Sequence, residues 1–271
     1  MKAKILAILV VLAVMASSIT GCGPKKGGYL IEIMKILPHD TPTVLYTDVE
    51  LITEDPDLEG MYNDVLESWD DILACEANIA TAIDSSHVRA FTKTDSRKVY
   101  LIAIKGEFDL QNIRDALLEQ DFMQGEYEGV EVWTDDSHAF AFLKRMIVSG
   151  DASSVETSIR VSQNDEPSMY GNEDVKSIMD KLPAGFCSLI LIGDTWGKSN
   201  SLLLAGGISM RKGEGVIEIK GWFKFESETD AEAVLPDLED AMKEFLGATF
   251  IEGQLRDEFI ELTGEIEIPE D

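Results

Sequence analysis

The chain has 271 residues, 45% of them hydrophobic, and its 51 acidic residues against 23 basic ones give a formal net charge of −28. That much apolar material excludes a disordered tail and suffices for two compact units. The charge argues against nucleic acid as a partner, because binding it depends on neutralising phosphates with Lys and Arg.

Lys2 and Lys4 precede an apolar run from Ile5 to Ala16 that gives way to Ser17–Cys22, the layout of a secretory signal peptide. The run falls short of the roughly 20 apolar residues that a spanning helix needs. Ile19-Thr20-Gly21-Cys22 resembles the lipobox of bacterial lipoproteins. The resemblance implies that residues 1–21 are cleaved, that Cys22 becomes the first mature residue, and that its thiol takes a diacylglycerol. Its amine would take a further acyl chain such as palmitate. Two or three chains anchor stably where one holds only marginally, at about 0.8 kcal/mol per buried methylene. Residues 22–28 form a tether whose Lys25 and Lys26 can sit against anionic headgroups. Loss of Lys2 and Lys4 takes the net charge from −28 to −30, so the body is expected to be repelled from an anionic bilayer while lipid and tether hold it. The expected location is extracytoplasmic and lipid-anchored, with inner and outer membrane both open.

Beyond the tether, Tyr29–Leu37 has helical spacing and Pro38 stops it; Val44–Val49 reads as a strand. Leu58, Met61, Tyr62, Val65, Leu66, Trp69, Ile72 and Leu73 form the strongest amphipathic helix pattern, with further helical turns over Ala77–Asp84. Strands are expected at Val88–Thr94 and Val99–Gly106, and a helix at Leu110–Gln120 capped by Asp109. Met123–Tyr127, Val130–Thr134, Ala139–Leu143 and Met146–Ser149 have hairpin spacing, and Asp151 caps a helix reaching Ile159. After the polar run 162–172, Glu173–Leu182 is helical, and Phe186–Ile192, Leu202–Arg211 and Val216–Phe225 are strands. Thr229–Leu246 is a helix interrupted or kinked at Pro236, and Phe250–Arg256 and Ile260–Ile268 close the chain.

Three short matches recur in the same order. Residues 33–38 (IMKILP) match 178–183 (IMDKLP), 102–108 (IAIKGEF) match 217–223 (IEIKGWF), and 122–125 (FMQG) match 250–253 (FIEG). The expected fold is therefore α+β, with two similar halves of mainly antiparallel sheet packed with helices. The first half spans 29–161 with a helical insertion at 58–84, residues 162–172 form a linker, and the second half spans 173–271. This layout loosely resembles uncharacterised bacterial secreted and lipid-anchored proteins with paired α+β halves, a resemblance that implies no chemistry.

Candidate sites are few. Asp55, Asp57, Glu59 and Gly60 imitate the start of a calcium loop, but the closing acid falls at Glu67, one residue late. Acids there also suit a helix N-terminus. Gly193-Asp194-Thr195-Trp196-Gly197-Lys198-Ser199 has three residues between its glycines where a phosphate loop needs four. His39, His87 and His138 are scattered, and Asp136-Ser137-His138 is too tight for a catalytic triad. Cys75 and Cys187 read as buried thiols or as a disulfide with each other. Trp69 belongs to a core, as does one of Trp133 and Trp222; Trp196, in a Gly-flanked loop, is the candidate contact residue.

No cofactor, metal or catalytic group is expected. The expected role is non-catalytic binding or interaction at the cell envelope, as a carrier of an apolar ligand. The alternatives are an acidic module engaging a protein partner and an envelope hydrolase.

Overall fold

The computed structural model describes residues 28–55, 58, 60, 63, 77–95, 100–193 and 203–267. Among the described residues no helix is long and apolar enough to cross a membrane. The chain forms two compact units, the first from Tyr29–Glu50 and Leu66–Asn172, the second from Leu51–Val65 and Glu173–Asp271.

The first unit runs α1 (Gly28–Met34), β1 (Thr43–Asp48), α2 (Val49–Thr53, which leads into the second unit) and α3 (Ala77–Ala82). Then come β2 (Val88–Asp95), β3 (Tyr100–Gly106), α4 (Leu110–Glu119), β4 (Met123–Tyr127), β5 (Val130–Thr134), β6 (Ala139–Leu143), β7 (Met146–Gly150) and α5 (Ala152–Ser162). Its strands are antiparallel in the order β1-β2-β3-β7-β6-β5-β4. In β3, Leu101, Ile102, Ala103 and Ile104 are all fully buried. Four consecutive buried residues require cover on both faces of the sheet, since side chains alternate. The helices supply it. Arg114 of α4 reaches Glu131, while Arg160 of α5 reaches Tyr127. Glu131 lies opposite Glu126, the neighbour of Tyr127, so the two helices sit on opposite faces.

Local signals explain several boundaries. The Asp109 carboxylate accepts from the amides of Gln111 and Asn112, and that of Asp151 accepts from Ser154 N–H, which caps α4 and α5 as their sequences imply. Glu128 and Gly129 both have positive φ, 48° and 78°, the paired left-handed conformation of a two-residue hairpin turn.

The expected linker 162–172 is instead packed into the first unit. His39 N–H donates to Pro167 O at 3.1 Å, Met169 N–H donates to Leu37 O at 2.8 Å, Pro38 and Ser168 form a bridge, and Met169 is fully buried. The polarity of this run marks exposed side chains on an anchored backbone. The expected 58–84 insertion is likewise split. Leu58 is buried and belongs to the second unit, whereas α3 belongs to the first. The rest of its long amphipathic pattern, including Trp69, lies outside the described residues.

The second unit runs α6 (Glu173–Met179), β8 (Cys187–Ile192), β9 (Leu203–Lys212), β10 (Val216–Phe225), α7 (Glu228–Leu246), β11 (Phe250–Arg256) and β12 (Phe259–Glu267). Its antiparallel order is β8-β9-β10-β12-β11. Ser227 caps α7, Gly247 ends it at φ 61°, and the helix runs unbroken through Pro236 on its exposed side. The interruption expected there does not occur.

Both units therefore share helix, three strands, helix and a hairpin, with β1-β2-β3 and β5-β4 standing for β8-β9-β10 and β12-β11. The first unit differs by inserting the hairpin β6–β7 between β3 and β5. The three sequence matches fall on corresponding elements. The third is out of phase, because Phe122 is buried whereas Phe250 is 49% exposed.

β10 differs from β3. Ile217, Ile219, Phe223 and Phe225 are buried on one side, while Glu218, Lys220, Trp222 and Lys224 are half-buried on the other. Each large apolar side chain buried there contributes about 1.5–3 kcal/mol. α7 lies on the apolar side: a Cβ at Gly253 would stand 2.4 Å from Leu235 Cδ1, and Gly253 aligns through Leu262 with Gly221.

Candidate functional site

Cys22, Asp57, Glu59, Cys75 and Trp196 lie outside the described residues. Asp55 is placed: Lys212 Nζ donates to both of its carboxylate oxygens, at 3.0 and 2.9 Å, with side chains only 18% and 10% exposed. The Asp55 carboxylate is thus held by an ammonium. Among the described residues no three or more His, Cys, Asp and Glu side chains group as metal ligands. Of the loop resembling a phosphate cradle only Gly193 is described, at φ 65°. Cys187 is a free, buried thiol, and burial pushes its pKa up to about 12.

His138 pairs with a serine, though not its neighbour Ser137. Its Nε2 lies 2.6 Å from the Ser149 Oγ across the β6–β7 hairpin, and its ring packs against Phe140 and Tyr100. Burial lowers the His138 pKa, against the opposing pull of Asp135 and Asp151. Ser149 is fully buried, so no substrate reaches its hydroxyl, and the pair holds β6 to β7 rather than forming a nucleophile and base. Sequence spacing of eleven residues gave no hint of it; only the hairpin register brings them together.

The polar face of β10 and β12 is the chemically richest open surface among the described residues. Lys181, just after α6, holds its Nζ 4.7 Å from the Trp222 ring centre and 4.6 Å from that of Phe259, while the two rings meet edge to face at 6.3 Å. Lys224 lies 5.9 Å from the Phe259 centre and pairs with Asp174 at 2.8 Å. Lys220 and Arg256 share Glu261, each at 3.3 Å, and Arg211 pairs with Glu218. Lys181 is exposed, and among the described residues its Nζ forms no ion pair and lies over the two ring faces. The surface offers an aromatic edge, an ammonium and polar side chains on a sheet anchored from behind. This is the chemistry of contact and orientation. Between Trp133 and Trp222, Trp133 is the core residue, 2% exposed, and Trp222 the accessible one. The alternation of β10 carried that signal, but sequence alone did not say which strand had an open face.

No known family model matches the chain. It is 26% identical over 188 residues to the uncharacterized protein MJ0635 of Methanocaldococcus jannaschii, an alignment covering 68% of this chain and 66% of that protein, just under two thirds of its length. Among solved structures, crystal form I of TP0453 superposes with a TM-score of 0.55 at 9% identity, covering 86% of this chain and 92% of that one. Crystal form IV of TP0453 gives 0.52 at 10% identity over the same shares. These likenesses establish a shared fold, and the chain is a mixed α+β protein built on antiparallel sheet.

Proposed function

We propose that this chain is an extracytoplasmic lipoprotein, anchored through lipid on Cys22, whose folded part is a non-catalytic interaction module. The Trp222–Phe259–Lys181 face carries the reading: a tryptophan and a phenylalanine stay half-buried on a supported sheet, where contact residues of large apolar area are concentrated at interfaces. Within the second unit, the protein-partner reading is favoured over the apolar-ligand carrier by how tightly side chains pack around β9. A single Cβ at Gly207 would meet Leu182, Ile178 and Ile190 at 2.6 to 3.0 Å, and one at Gly206 would meet Phe223 at 2.6 Å. Around these two positions there is no room for an acyl chain.

Detergent-phase partitioning of the protein from its host, with mass spectrometry of its N-terminal peptide, tests the anchor. A lipid-modified Cys22, and loss of membrane sedimentation in Cys22→Ser, are expected; an unmodified N-terminus refutes it. Native mass spectrometry of residues 28–271 after exposure to host membranes separates the roles. A bare mass is expected of an interaction module, and a reproducible lipid adduct would restore the carrier.

A further inference from the structure

The hairpin edges of the two units, β11 in the second and β4 in the first, are finished differently. In an antiparallel ladder, residues flanking a two-residue turn exchange both backbone bonds, and bonded pairs alternate from there. Starting from Arg256 and Phe259, this rule turns the backbone N–H groups of Ile251, Gly253 and Leu255 outward from edge strand β11. The outward N–H of Gly253 is indeed met by the Glu239 carboxylate of α7 at 2.6 Å. The long helix thereby meets one of the three outward donors of that edge.

The same count on β4 starts from Tyr127 and Val130, makes Gly125/Val132 and Met123/Thr134 the bonded pairs, and turns the backbone groups of Gln124 and Glu126 outward. Among the described residues these groups have no backbone or side-chain partner, and Met123–Glu126 are all exposed. α4, ten residues against nineteen in α7, supplies no equivalent of Glu239. Exposed edges of this kind are usually blunted, since they template pairing with another strand.

Chemistry selects the occupant. From Leu118 to Glu131 the chain carries Glu119, Asp121, Glu126, Glu128 and Glu131 and no Lys or Arg. Arg114 engages Glu131, while the other four form no ion pair among the described residues. Leu118 and Met123, 57% and 68% exposed, place apolar surface beside the edge. We infer that β4 is a docking edge for an extended segment of a partner protein in which basic residues alternate with apolar ones. The segment adds as an antiparallel strand, bonding to Gln124 and Glu126 while its cations meet Glu126 and Glu128. A second copy of the chain is disfavoured, because it would bring the same carboxylates face to face in a protein of net charge −28. The site names a partner class for the interaction role proposed above and rests on it. It is separate from the Trp222 face, so failure at β4 alone leaves that role standing.

The test uses the detergent-solubilised full-length protein and a synthetic ten-residue peptide alternating lysine with valine. Binding is followed by fluorescence anisotropy and by amide hydrogen exchange. Saturating peptide should slow exchange at Gln124 and Glu126, and leave Gly125, already bonded to β5, unchanged. Gln124→Pro removes one outward donor without touching the β5 ladder and should weaken binding about tenfold. Glu126→Lys with Glu128→Lys should weaken it similarly with the backbone intact, and a peptide N-methylated at alternate residues should not bind. Equal binding of the N-methylated peptide, or no added protection at Gln124 and Glu126, overturns the proposal. So does a dimer in sedimentation analysis that Gln124→Pro abolishes, which would give the edge to a second copy.

Discussion

The imidazole of His138 and the hydroxyl of Ser149 meet at 2.6 Å inside the hairpin that distinguishes the first unit from the second. Burial lowers the His138 pKa below its ordinary value of about 6.5, so the folded state prefers the neutral ring. A depressed histidine stabilises the fold fully above the unfolded pKa and loses that contribution as pH falls through it. Urea denaturation should show stability level between pH 7 and 8 and declining from about pH 6.5 downward. His138→Gln should flatten that decline. Asp135 and Asp151 cannot account for it. Burial raises their pKa values, hydrogen bonds from Ser137 and His138, or from Ser153, Ser154 and Tyr100, outweigh it, and their contribution is lost only below about pH 4.

Glu131 organises the α4 side of the sheet. Arg114 donates to both of its oxygens, at 2.8 and 2.7 Å, and the Trp133 indole N–H donates at 2.7 Å. Glu131→Ala leaves a buried indole N–H unpartnered and should cost about 1–3 kcal/mol. The Arg114 hydrogen bond, countered by burial, holds the carboxyl below its usual range, so its contribution is present above about pH 4.3 and lost on acidification. Denaturant midpoints with Trp133 fluorescence as the probe check both magnitude and direction.

Cys187 should resist modification in the native protein, because its thiolate is suppressed at neutral pH and its sulfur is buried. Timed iodoacetamide labelling with peptide mass spectrometry should find Cys187 unmodified under native conditions and labelled in guanidinium chloride. Native labelling at a rate near that of a free thiol would place the sulfur in solvent.

Gly185→Ala tests how closely the backbones approach ahead of β8. A Cβ at this position would stand 2.1 Å from the Met210 carbonyl oxygen, which accepts the neighbouring Phe186 N–H at 3.0 Å. Backbone must move, and overpacking of this kind costs about 1–3 kcal/mol. A lowered unfolding temperature is expected, with the sheet signal in circular dichroism retained.

Much of the fold was legible in the sequence because strand and helix periods were sharply written. The alternation of Val216–Phe225 predicted β10 residue for residue, and Asp109 and Asp151 announced α4 and α5. Three short matches exposed the paired architecture because each sits on an element whose position the fold repeats. What failed had a common cause in long-range contact. Residues 162–172 read as a linker because composition reports side chains, while their backbone is tied to Leu37, Pro38 and His39 far upstream. Pro236 read as an interruption or a kink, and α7 runs without interruption through it on its exposed side. The Trp222 face and the open edge of β4 were invisible for the same reason: which strand face or edge is left uncovered depends on the lengths and placement of helices elsewhere in the chain.

The second unit is discontinuous, and this sets a clock on biosynthesis. Asp55 closes on Lys212, which follows it by 157 residues. At roughly 5–20 residues per second, about 8–30 s elapse between synthesis of the carboxylate and synthesis of the ammonium that neutralises it. The strands of the first unit emerge on either side of Asp55, β1 before it and β2 to β7 within that interval. The native ion pair between Asp55 and Lys212 therefore cannot form until most of the chain has been synthesised.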